Sequence, residues 1–69
     1  MTAFEGMVLG VQKDQYLVRL VDLIHDDPDT LSVMSREAFP KEHPLEAGAL
    51  FVWTIDQGHS NVLVFDAKV

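Results

Sequence analysis

Apolar residues recur at every second position over most of this chain, in short runs bounded by turn residues. Over residues 4–12, Met7, Leu9 and Val11 alternate with Val8 and Gly10, which predicts a first strand. Gly6 and Gly10 both weaken a helix in this segment, and the interior Gly10 predicts a bulge or sharp bend. Lys13, Asp14 and Gln15 form a short polar hairpin connection. Residues 16–25 predict a second strand, with Tyr16, Val18 and Leu20 on one face and Leu17, Val21 and Leu23 on the other, Arg19 between them. A helical stripe can also be drawn through Leu17, Leu20, Val21 and Ile24; the hairpin spacing to the first strand favours β.

His25, Asp26, Asp27, Pro28, Asp29 and Thr30 predict a turn, because Pro28 lacks an amide donor and aspartates cap local backbone amides. A short third strand follows over residues 31–34. Ser35 can cap one helical turn running to Phe39, which Pro40 stops. Residues 41–48 read as an irregular crossover. Over residues 49–56, Phe51, Trp53 and Ile55 oppose Leu50, Val52 and Thr54, the strongest strand signal in the chain and the expected central strand. A hairpin turn at residues 57–60 leads to a last strand over residues 61–66, with Val62 and Val64 opposite Leu63 and Phe65.

Five short strands with one crossover predict a mainly β fold, a small five-stranded SH3-like or OB-like barrel with one short helical turn. A split β-sandwich is the competing architecture. The 69 residues make one domain, 1–69, since a chain of this length supports one core.

Eleven acidic residues against five basic ones give a formal charge of −6, which repels phosphate backbones and disfavours nucleic acid as a partner. At 48% hydrophobic, the chain is no disordered acidic tail. The absence of cysteine rules out disulfides and thiolate zinc clusters. The first six residues hold neither a basic n-region nor a long apolar run, and no segment reaches the ~20 apolar residues of a membrane span. A cytoplasmic protein without a membrane partner is expected.

The segments Glu5-Gly6-Met7-Val8-Leu9, Tyr16-Leu17-Val18-Arg19-Leu20-Val21-Asp22-Leu23, Pro44-Leu45-Glu46-Ala47-Gly48-Ala49 and Phe51-Val52-Trp53-Thr54-Ile55 resemble a group of short, uncharacterised bacterial small β-barrel proteins. Those relatives read as E-G-V-V-L-E-V, then A-R-L-x-D-L after an aromatic, then R-P-L-V-x-P-G-A-x-F-Y-W-x-I. This chain departs from them at Ala47, where they carry proline, and at Val52, where they carry a second aromatic. The resemblance implies a β fold and no particular chemistry.

The candidate chemical groups each have a structural reading. His25, Asp26, Asp27 and Asp29 are potential ligands for a hard cation, but lack the glycine and bidentate glutamate of an EF-hand loop; capped backbone amides account for them. His25, His43 and His59 show no short zinc-ligand spacing. Asp56, His59 and Ser60 have triad residue types, yet adjacent His59 and Ser60 point apart on a strand or tight turn. Tyr16, Phe51 and Trp53 could stack bases, but the five cations, Lys13, Arg19, Arg36, Lys41 and Lys68, are scattered, so core packing is expected. No catalytic residue, cofactor or metal is assigned, and no enzyme is expected.

Arg19, mid-strand on an apolar face, needs a neutralising partner, expected in Asp22 or Glu5. Several strands are apolar on both faces while a barrel has only one interior. The surplus, Leu17, Val21 and Leu23, or Leu50 and Val52, or Leu63 and Phe65, either lies under the crossover or faces a partner. The last strand is also an edge open to strand addition, with Asp66 and Lys68 as gatekeepers. Leu17, Arg19, Val21, Leu63 and Phe65 are thus the expected partner-binding residues. The expected function is a non-enzymatic protein-protein interaction module or antitoxin-like accessory protein, binding another protein or itself. An acidic mimic of DNA and a small nucleic-acid-binding barrel are the alternatives.

Overall fold

The computed structural model describes residues 1–25, 27–40 and 45–65. Expectations placed on Asp26, Lys41, His43, Pro44, Asp66 and Lys68 lie outside the described residues. Among the described residues five strands form: β1 Thr2–Val11, β2 Gln15–Asp22, β3 Thr30–Ser35, β4 Leu50–Asp56 and β5 His59–Phe65. A single 3-10 turn, Arg36–Ala38, follows β3, with the Ser35 hydroxyl accepting the Glu37 amide at 3.2 Å. The competing helix through Leu17 and Leu20 is absent, because β2 is hydrogen-bonded into the sheet on both sides.

All five strands are antiparallel in one sheet of order β3-β2-β1-β4-β5. β1, and not β4, is therefore the central strand. Its length lets it pair with β2 along one edge and β4 along the other. A bulge between Val8 and Gly10 shifts the register with β2, at the place the interior glycine foretold. Opposite it, the Val8 amide donates to Ala49 O at 2.9 Å and Val8 O accepts the Gly48 amide at 2.7 Å, which ties the end of the crossover to β1. The β3 and β5 edges are not hydrogen-bonded to each other, so the sheet is open.

Alternation decides which face is buried. Val8, Tyr16, Val18, Leu20, Met34 and Phe51 point to one side, and the crossover returns Phe39 and Leu45 over them to complete the core. Phe39 meets Tyr16 and Phe51 edge-on, with ring centroids 5.0 Å apart in each case. The Tyr16 hydroxyl accepts the Leu45 amide at 3.4 Å, and the Arg36 guanidinium sits 5.7 Å above the Tyr16 ring while donating to Lys13 O. Gly6 lies under Phe51: a Cβ there would sit far inside van der Waals contact of the Phe51 Cζ atom. Full burial of Phe51, Val8 and Val18 contributes about 1.5–3 kcal/mol each.

The turns are tighter than the sequence reading had them. β5 begins at His59, so the last hairpin closes on two residues, Gln57 and Gly58, both at positive φ (50° and 80°). That is the geometry of a primed hairpin turn, whose twist matches the flanking strands. β2 ends at Asp22 rather than His25, because the Asp22 Oδ1 accepts the amides of Ile24 (2.9 Å) and His25 (2.8 Å) and turns the chain.

Candidate interaction surface

The register fixes what the other side of the sheet presents. Residues directly opposite on paired strands share a face, which aligns Leu31, Arg19, Met7, Leu50 and Phe65 in one row across all five strands. At the usual strand spacing this row runs about 19 Å along the sheet. A second row holds Val21, Glu5, Val52 and Leu63, and Val33 extends the surface beside Leu17 on β2. Leu31 is 66% exposed, Leu63 58%, Val33 51% and Phe65 46%. Leu17, Val21, Leu50 and Val52 are half-buried among them.

All five expected partner-binding residues, Leu17, Arg19, Val21, Leu63 and Phe65, fall on this outer face. The crossover covers the opposite face, since Phe39 and Leu45 join the core of Val8, Tyr16 and Phe51. Among the described residues, the surplus apolar strand surface is therefore left open to solvent. Leu31, Val33, Met7 and Leu9 belong to the same surface and were not foreseen. The signal for Met7 and Leu9 was present: they alternate with Val8, which is buried, and so must face the other way.

Arg19 is paired, but with neither expected partner. Its Nε donates to Asp29 Oδ2 at 2.8 Å, and Nη2 reaches the same oxygen. Asp22 is committed to the β2–β3 turn instead. Its carboxyl is held below the ordinary carboxylate range chiefly by the His25 amide, then by the Ile24 amide, with the nearby His25 ring adding to both. Because the folded value is depressed, this contribution to stability is present above the ordinary carboxylate range. It is lost as pH falls through the lowered value. We expect the Tm of the wild-type protein to fall more steeply over an acid series than that of Asp22→Asn. Parallel curves would refute the capping role.

Asp22, His25 and Asp27 bring one potential ligand atom each within 4.8 Å of one another, whereas Asp29 is drawn away to Arg19. In this turn His25 and Asp27 are exposed, Asp22 is half-buried, and one of its carboxylate oxygens is already taken by two backbone amides. His59 lies at the β4–β5 hairpin, in a different loop from His25, and pairs across it with Asp56, while adjacent Ser60 pairs with Ile55. The alternation of β5 thus sends His59 and Ser60 to opposite faces. Tyr16 is buried and Trp53 packs against the core beside Phe4, ring centroids 5.5 Å apart. Neither ring forms an open stacking platform. Among the described residues no helix is long and apolar enough to cross a membrane.

Comparison of the chain with protein-family models, with curated proteins and with solved structures finds no match.

Proposed function

We propose that the protein is a non-enzymatic protein-protein interaction module whose outer sheet face docks against a partner protein. One observation carries this reading: an apolar surface crosses all five strands, and no described segment of the chain covers it. Soluble monomers rarely leave contiguous apolar patches beyond a few hundred Å² without a use for them. The strand order and the β1 bulge also support a partly open barrel of SH3-like or OB-like type, with β3 and β5 as its facing edges. The cysteine-free sequence suits a cytoplasmic accessory role.

The test is a double substitution, Leu31→Ser with Leu63→Ser, at two of the most exposed apolar positions. Neither side chain is part of the core cluster, so the variant keeps the far-UV dichroism and cooperative melting of the wild type. Co-purification of a stoichiometric partner from the native host, resistant to nuclease, is expected for the wild type and abolished for the variant. A wild-type protein that is strictly monomeric and emerges from its host alone would sink the reading.

A further inference from the structure

The outer face carries a carboxylate at its middle. Glu5 sits on the central strand, opposite Val21 on β2 and Val52 on β4, with Ala3 and Met7 on either side of it along β1. It is exposed, and the ion pairs among the described residues, Arg19–Asp29 and His25–Asp22, leave it out. Among the described residues, Arg19 is the cation nearest in register, since it stands opposite Met7 and so diagonal to Glu5, about 7–8 Å away between Cα atoms. Its guanidinium turns away to Asp29 in the β2–β3 loop. Among the described residues, the apolar face therefore surrounds one carboxylate without an ion-pair partner.

Resting on the interaction module proposed above, we infer that Glu5 reads a cation on the partner, and that the occupant of this face is a protein surface presenting an arginine ringed by apolar side chains. Covering the patch removes water from Glu5, and a carboxylate losing water needs an opposite charge and hydrogen bonds. Arginine supplies both through its two-pronged guanidinium and tolerates burial better than an ammonium. A second copy of this chain does not supply it. Each copy would bring another Glu5 to the interface, an Arg19 already bound to its own Asp29, and a net charge of −6. Like charges across a dewatered interface oppose that pairing.

The experiment titrates the 15N-labelled full chain with three peptides: alternating leucine and arginine, alternating leucine and glutamate, and alternating serine and arginine. We expect the leucine-arginine peptide alone to bind, with amide shifts centred on Glu5, Val21 and Val52. Glu5→Gln, isosteric and exposed, weakens it at least about thirtyfold. Glu46→Gln, which removes one charge on the crossover, changes affinity less than about twofold, as screened long-range attraction allows. Equal losses in the two variants, or equal binding of the leucine-glutamate peptide, overturn the inference. If Leu31→Ser with Leu63→Ser removes peptide binding and Glu5→Gln does not, the face remains an interface while Glu5 loses its role. Shifts confined to other surfaces defeat both readings. A wild-type dimer in sedimentation equilibrium that Glu5→Gln tightens makes a second copy the occupant and overturns the inference.

Discussion

Gly6→Ala removes about a third or more of the stability of this domain. The methyl group added at Gly6 would occupy the space of the Phe51 ring, which is fully buried and held edge-on by Phe39 at 5.0 Å. Phe51 is fully buried, so either the ring leaves its rotamer or β1 and β4 separate where Gly6 and Phe51 face each other. Overpacking of this kind costs about 3 kcal/mol, the upper end of its usual range. A domain of 69 residues has only about 3–10 kcal/mol to lose. Urea unfolding followed by Trp53 fluorescence measures the loss, and the double variant Gly6→Ala with Phe51→Leu tests its cause. If the ring is responsible, the two changes are strongly non-additive, the leucine restoring part of what the methyl removed. A Gly6→Ala protein within about 0.5 kcal/mol of the wild type would refute the contact.

Phe39→Ala is the second severe change, and its origin differs. Phe39 belongs to no strand; it follows the 3-10 turn at the point where the chain leaves β3 and closes over the sheet. Its ring bridges Tyr16 on β2 and Phe51 on β4, two strands separated by β1. Truncation opens a cavity in the middle of the core, for an expected loss of about 3–5 kcal/mol. Phe39→Leu fills most of that volume and forfeits mainly the two edge-to-face contacts, about 0.5–1.5 kcal/mol each. The order wild type, leucine, alanine in urea midpoint is the expected result. An alanine variant as stable as the leucine variant would show that the crossover is not a lid on this core.

Strand identity was legible because alternation has a period of two and the turns here are short. Faces within β2, β4 and β5 followed directly. Position within the sheet was not legible, and β4 shows why. Its two apolar faces suggested a strand covered on both sides, yet Leu50 and Val52 belong to the open outer surface while Phe51 and Trp53 reach the core. β1 concealed its central place because Gly6 and Glu5 dilute its apolar pattern. Glycine is there to admit a ring from β4, a contact that joins residues far apart in sequence.

The surface was half readable for related reasons. Leu63 and Phe65 stood out as surplus in a regular strand, whereas the short run of β3 gave Leu31 and Val33 no assignable face. Neither expected partner of Arg19, Asp22 near it in the chain or Glu5 on the paired strand, holds it, because its guanidinium reaches into the β2–β3 loop. Asp22 is claimed by the backbone of its own turn, and the Arg19 guanidinium turns to Asp29 across the β2–β3 loop rather than to Glu5 on the neighbouring strand.

The central place of β1 also dictates an order of assembly. β1 is synthesised first, and β2 and β3 can fold onto it as a local meander. Its other edge pairs with β4, whose residues 50–56 emerge some forty positions later. Until then the nascent chain holds a row of β1 amides and carbonyls without strand partners beside a core that still lacks Phe51. Closing such a distant pairing makes slow folding the expectation for so short a chain. Throughout that wait, Glu5 on the bare strand places a negative charge where a second nascent chain would otherwise find an apolar edge to extend.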